Sequence, residues 1–279
     1  MSKQKKTKPD KLEKILTKHN LSQKELDMIL KQNATPEKKK FNVEQHYWRP
    51  RRVKLGFIAD THIGHSFFNY SIYEASRHQF KKNKVEAIYH CGDVLEGMSN
   101  REGHFYELKT AGVSNQIKEA KEVLEGYDLP VYFITGNHDE WATKKSNQGI
   151  SVGDYLDQVT NEKIKHIGDF RTDIELAPKV KLRLTHEGTG AYALSYSLQK
   201  RINALEGGTK PNIIVNGHPH KAIQMFYRNI HAFEAGTLCD QTPFMAMKGS
   251  PAHTGFWILD IAYNKKGITD LKAQLFPFY

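Results

Sequence analysis

Five short segments place metal-ligand side chains directly after apolar runs: Asp60-Thr61-His62, Gly92-Asp93, Gly136-Asn137-His138-Asp139, His186, and Gly217-His218-Pro219-His220. One histidine on an apolar face is more often a core residue than a ligand. Here five of the fourteen histidines recur at the same kind of place, with aspartates and an asparagine beside them. Gly92, Gly136 and Gly217 each precede a ligand residue, where a turn needs permissive backbone angles. Imidazole, carboxylate and amide oxygen without thiolate suit manganese, iron or zinc at high coordination number. They do not suit a structural zinc site built on cysteines. A carboxylate bridges two cations and an imidazole nitrogen binds one, so Asp93 is the natural bridge.

The elements that must position these residues read as strands. Lys54–Ala59, Ala87–Cys91, Val131–Thr135, Val180–Thr185 and Ile213–Asn216 are short apolar or alternating runs, each ending at a ligand segment. Helical patterns fill several gaps, at Ile72–Asn83, Ser114–Glu125 and Ala193–Leu205. Alternating strands and helices predict α/β layering with a site beyond the strand C-termini. After His220 the runs Ile230–Ala235, Gly255–Ile261 and Leu271–Phe276 have no helices between them, which predicts more antiparallel pairing. His90 lies within a strand, with its side chain expected to point away from the site. His104 is expected at the surface.

In order and residue type the five segments resemble the calcineurin-like metallophosphoesterase superfamily, over about Leu55 to His220. The resemblance implies a four-layer α/β/β/α sandwich with mixed sheets, here preceded by a small N-terminal helical segment. It implies two divalent metal ions, with manganese first in line and iron or zinc as alternatives. Asp60, His62 and His220 would hold one; Asn137, His186 and His218 would hold the other; Asp93 would be shared. Such pairs sit ~3.5–4 Å apart and clamp the attacking and departing oxygens. A metal-bridging hydroxide would attack phosphorus in line. His138 would face the phosphoryl group as a catalytic residue, and Asp139 would orient its imidazole. The fourth motif departs from the common Gly-His, reading Thr185-His186-Glu187-Gly188.

Charge separates the chain into two parts. Residues 1–54 hold 16 Lys and Arg against 6 Asp and Glu, and the remainder holds 25 of each. We read residues 1–52 as a basic arm and 53–279 as the metallophosphoesterase domain. Lys11–Gln32 carries two apolar helical stripes, with Ser22 and Glu25 as a capping box for the second, a hairpin similar to part of a helix-turn-helix. Residues 33–52 read as a basic linker interrupted by Tyr47 and Trp48. A basic arm of this kind favours a polyanion, so nucleic acid, DNA first, is the expected partner.

Gly92-Asp93 is followed by Val94-Leu95-Glu96-Gly97, not by the Asp-Arg-Gly of the protein phosphatases, and Gly136-Asn137-His138-Asp139 is the form frequent in phosphodiesterase branches. The expected activity is therefore phosphodiester hydrolysis by a DNA nuclease. Alternatives are a phosphomonoesterase, a small-nucleotide phosphodiesterase, and a non-catalytic DNA-binding adaptor. No apolar run approaches the ~20 residues of a membrane span, so no membrane partner is expected. Two cysteines make no disulfide framework, which fits a reducing cytoplasm.

Overall fold

The computed structural model describes residues 43–46, 51–141, 151–188 and 193–279. The chain divides into two compact units, Met1–Lys40 and Phe41–Tyr279, and only the second falls within the described residues. The predicted helical hairpin, Tyr47 and Trp48 lie outside them.

The strands in chain order are β1 (Val43–Gln45), β2 (Arg52–Ile58), β3 (Ala87–Cys91), β4 (Val131–Thr135), β5 (Ile164–Asp169), β6 (Arg171–Ala177), β7 (Val180–His186), β8 (Ile213–Gly217), β9 (Ala222–Tyr227), β10 (Ile230–Ala235), β11 (Gly255–Asn264) and β12 (Gly267–Pro277). The helices are α1 (Tyr70–Lys82), α2 (Val113–Glu125), α3 (Asn137–Trp141), α4 (Val152–Val159), α5 (Tyr196–Asn203) and α6 (Pro243–Met247).

Two six-stranded mixed sheets result, ordered β12-β11-β2-β3-β4-β5 and β1-β6-β7-β8-β10-β9. In the first, β2 to β5 pair in parallel and β11 joins β2 antiparallel. In the second, β7, β8 and β10 are parallel, β6 joins β7 antiparallel and pairs with β1 in parallel, and β9 joins β10 antiparallel.

Strand alternation gives each sheet two apolar faces. Val53, Leu55 and Phe57 of β2 meet Leu182 and Leu184 of β7, with Val215, Phe233 and Trp257, in the core between the sheets. The intervening residue type on the first sheet, Ile58, Ile88 and Phe133, faces outward onto Ile72 and Phe80 of α1, Ile117 and Leu124 of α2, and Leu156 of α4. The second sheet carries Leu198 and Ile202 of α5 on its outer face, against Ile214, Ile230 and Ala232. Three cores between four layers make the α/β/β/α sandwich that the motifs imply.

One segment differs from its sequence reading. Residues 33–52 were expected to be linker, yet Val43–Gln45 pairs with Asp173–Glu175 as the edge strand β1. His46 then packs on Tyr132 at 4.1 Å between ring centroids and its Nδ1 lies 2.8 Å from the Tyr89 hydroxyl. Aromatic contact outweighs the local basic composition there.

Candidate metal centre and phosphoester cleft

Every ligand-type residue singled out above lies at or just beyond the C-terminal end of a parallel strand, from β2, β3 and β4 in one sheet and β7 and β8 in the other. Past the strand ends the backbones keep pairing: Asp60 N donates to Gly92 O at 3.0 Å, His62 N to Asp93 O at 3.1 Å and Ile63 N to Val94 O at 2.9 Å. The first two motifs therefore run side by side as one rigid ledge. Five of the seven expected ligands, Asp60, His62, Asp93, His218 and His220, have φ between 47° and 84°, the left-handed region. Sharp reversals there turn successive side chains into one space. Close approach also requires glycine: at Gly92 (φ +92°) a Cβ would lie 2.4 Å from His186 Nδ1, and at Gly136 a Cβ would lie 2.2 Å from Asp93 Oδ1.

The donors form two neighbouring groups. In one, His62 Nε2 and His220 Nε2 are 3.0 Å apart, with Asp60 Oδ1 at 3.3 Å from His220 and 3.9 Å from His62. In the other, His186 Nε2 lies 3.0 Å from Asp93 Oδ2 and 3.2 Å from Asn137 Oδ1, and His218 Nδ1 lies 2.7 Å from Asn137 Oδ1. Asp93 Oδ2 is also 3.9 Å from His62 Nε2, so this oxygen stands between the groups.

These arrangements fit divalent cations on the chemistry of the donors. His186 Nδ1 sits 2.7 Å from the Cys91 carbonyl, which only accepts, so Nδ1 carries the hydrogen. A neutral His186 then offers a lone pair at Nε2 to two oxygens that are themselves acceptors. His62 repeats this pattern, with Nδ1 held 2.8 Å from Glu96 Oε2 and Nε2 turned to the donor group. Convergent lone pairs of this kind are satisfied by a cation or by an added proton. In the metal-free protein the proton wins at His186: burial opposes it, but the Asp93 carboxylate carries its pKa to about 9. Burial lowers the pKa of His62 and takes that of His218 down to about 4, which keeps both imidazoles neutral and able to donate a lone pair.

His138 is not in either group. Asp93 Oδ1 accepts its backbone N–H at 2.8 Å, and its Nδ1 lies 3.0 Å from the Glu96 carbonyl and 3.2 Å from Glu96 Oε2. Trp141 packs on the ring at 3.9 Å between centroids. Burial lowers the affinity of this imidazole for a proton, yet Asp93 and Glu96 reverse the balance and raise its pKa to about 9. With Nδ1 engaged, Nε2 is the nitrogen left for the cleft.

Asp139, expected to orient the His138 imidazole, turns both carboxylate oxygens to backbone donors. Oδ1 accepts from Leu95 N at 2.8 Å, and Oδ2 accepts from Val94 N at 3.1 Å and from Gly136 N at 2.9 Å. Burial and Asp93 push its pKa up to about 7 against the pull of those three donors. Asp139 thus joins the second motif to the third through backbone groups, and Glu96 is the acidic residue against the His138 ring.

Glu96 was passed over in the sequence, where it appears only as the third residue after Asp93. It is 3% exposed and holds three imidazoles: His62 Nδ1 and His138 Nδ1 on Oε2, and His104 Nε2 at 2.7 Å on Oε1. Burial disfavours its charge, but these histidines hold its pKa well below the usual carboxylate range. The available signal was a charged residue inside the apolar Val94-Leu95-Glu96-Gly97 run. His104, expected at the surface, is 1% exposed for the same reason: the carboxylate draws it inward. His90 does point away, its Nε2 lying 2.9 Å from Thr61 Oγ1 in the core.

Both donor groups open onto one cleft of about 610 Å³, whose far wall carries Arg101, Leu194, Phe244, Met245 and Lys248. Among the described residues no helix is long and apolar enough to cross a membrane.

The sequence profile of the calcineurin-like phosphoesterase superfamily domain matches residues 53–261. No curated protein sequence matches the chain. Among solved structures it is similar to an archaeal phosphodiesterase, at 17% identity over 80% of this chain and 100% of that one, with a TM-score of 0.46. It is similar to Yfce, a phosphoesterase from E. coli, at 18% identity over 79% and 98% of the two chains, with a TM-score of 0.44. Vps29 from Entamoeba histolytica, complexed with Zn²⁺, is 11% identical over 81% and 100%, with a TM-score of 0.41.

Proposed function

This chain belongs to the calcineurin-like phosphoesterase superfamily, and from that premise we propose that it is a two-metal phosphodiesterase that cleaves DNA. The observation that carries the reading is the convergence of seven donors into two groups with Asp93 Oδ2 between them. Asp60, His62 and His220 would hold one cation and Asn137, His186 and His218 the other, with Asp93 shared. Bound there, two divalent cations, manganese in our reading, would supply Lewis acidity towards the phosphoryl oxygens and acidify the attacking water.

The chain's own residues supply the rest. In the metal-free protein Asp93 and Glu96 raise the pKa of His138 to about 9, which favours the imidazolium. Its Nε2 can donate a proton to the departing oxygen or stabilise the charge growing on the phosphoryl group. Glu96 fixes the ring from the Nδ1 side, and Trp141 packs against its face. Arg101 lines the cleft but is held by both oxygens of Glu107, so it is not free to grip a phosphomonoester dianion. That supports a diester over a monoester. The basic N-terminal segment supports nucleic acid as the diester, since residues 1–54 carry the whole of the chain's net charge of +10.

The test is cleavage of end-labelled single- and double-stranded DNA by manganese-loaded protein, with Asp93→Asn prepared in parallel. Cleavage by the wild type and its loss in the variant are expected. Absence of cleavage by protein that holds two metals would overturn the nuclease reading, and robust cleavage by the variant would overturn the shared-carboxylate arrangement.

A further inference from the structure

We propose that Phe244 is a stacking platform for one unpaired nucleobase, set in the same cleft as the donor groups and flanked by Lys248, whose ammonium meets a neighbouring phosphate. The proposal rests on the phosphodiesterase reading above and narrows its substrate to single-stranded or locally opened nucleic acid.

Phe244 sits on α6, a short helix whose entry is fixed by Pro243 in its first turn and by the Thr242 side chain accepting from Met245 N. The ring is 40% exposed although it lines a concave cleft. The other large aromatic of the cleft, Trp141, is occupied on His138 at 3.9 Å and His104 at 5.7 Å. Phe244 has no aromatic neighbour among the described residues, and its exposure leaves ring surface for a planar ligand beside the two cations that contact it.

Two cations stand over that ring. Arg101 Cζ lies 4.9 Å from its centroid and Lys248 Nζ 5.7 Å. Arg101 is pinned by Glu107, which fixes the guanidinium and neutralises it. Lys248 makes no ion pair among the described residues and keeps its charge for a ligand. A half-exposed phenyl ring beside an unpaired ammonium, in a cleft built for a phosphoester, matches a base next to a phosphate. A purely apolar leaving group would leave Lys248 without a counter-charge. A base within a duplex already has both faces stacked, so only an unpaired base gains from this ring.

The test is fluorescence anisotropy with the full chain, chelated to prevent turnover. The probes are a short labelled oligothymidylate and an abasic oligomer of equal length and phosphate number. Both carry the same charge, so attraction to the basic N-terminal segment cancels in the comparison. Phe244→Ala is expected to weaken oligothymidylate binding about tenfold, ~1.4 kcal/mol, and to leave the abasic oligomer unchanged. Phe244→Tyr, which keeps the ring, should bind both as the wild type does and serves as the check on folding. Equal weakening on both probes, or none on either, would overturn the platform.

Turnover of bis(p-nitrophenyl) phosphate by metal-loaded protein separates the two readings. Normal turnover with no base dependence removes the platform alone. A base-dependent Phe244 effect without any diester turnover removes the phosphodiesterase reading and leaves the platform standing.

Discussion

Asp139→Asn distinguishes a structural staple from a catalytic partner of His138. The carboxylate accepts three backbone N–H groups with its two oxygens, at 2.8, 2.9 and 3.1 Å. Asparagine offers one acceptor oxygen. Placed at the Oδ2 position, that oxygen still serves Val94 and Gly136, and the new amide then confronts Leu95 N–H, donor against donor. At least one buried backbone donor and one side-chain donor lose their partners, at about 1–3 kcal/mol each. A destabilisation of about 2–6 kcal/mol follows, or roughly 4–24 °C in melting temperature for a unit of this size. Because Asp139 joins the second and third motifs, metal affinity should fall as well. Once the variant is saturated with metal, its chemical step should stay within about threefold of wild type, well short of the 10²–10⁴-fold loss of an acid–base partner. The assay pairs thermal melts of the metal-free protein with kcat at saturating manganese. An unchanged melting temperature beside a kcat lowered a hundredfold or more would refute this assignment and return Asp139 to orienting His138.

Glu96→Gln should act at two places at once, weakening metal binding at the His62 group about 10–100-fold through lost orientation of that ligand and slowing turnover at saturating metal. Isothermal titration and kcat read the two separately, and wild-type values in both would exclude Glu96 from the site. Glu234 is 1% exposed, with Oε1 unpartnered, and burial pushes its pKa up from 4.5 to about 8. The folded state therefore keeps a proton that the unfolded chain loses, and stability falls as pH rises between those values, by about 1.4 kcal/mol per unit for one proton. Glu234→Gln should flatten that slope in melts of the metal-free protein; an unaltered slope would mean that Glu234 ionises normally. Replacing Lys38, Lys39 and Lys40 by glutamine should lower the log–log salt slope of DNA affinity by up to about three, if each meets a phosphate. An unchanged slope would place DNA contact elsewhere.

The sequence foretold the parts of the molecule whose signal is local. Ala87–Cys91, Val131–Thr135 and Ile230–Ala235 are strands with the expected bounds, because each is a short, mostly buried and predominantly apolar run. The seven candidate donors each follow such a run, and the structure brings their side chains into two neighbouring groups. What stayed hidden depends on residues far apart in the chain. Ile164–Asp169 and Ala222–Tyr227 carry Lys165, His166 and Gln224 on faces that are partly exposed, which breaks the apolar pattern of β5 and β9. Glu96 shows its purpose only once His62, His104 and His138 converge on it. Asp139 follows a histidine in sequence and suggests a partnership with it, but its oxygens face backbone donors that no side-chain pattern announces.

The left-handed backbone at Asp60, His62, Asp93, His218 and His220 sets endurance against chemistry. A residue with a Cβ is strained in that conformation by roughly 1 kcal/mol, and glycine is not. At His62, His218 and His220 the residue that rests most easily in the chain is therefore one that carries no donor at all. Glycine at those bends would relieve that strain and remove the donors in the same step. Any campaign to stabilise the protein must hold those positions fixed and look for gains in the layers beneath.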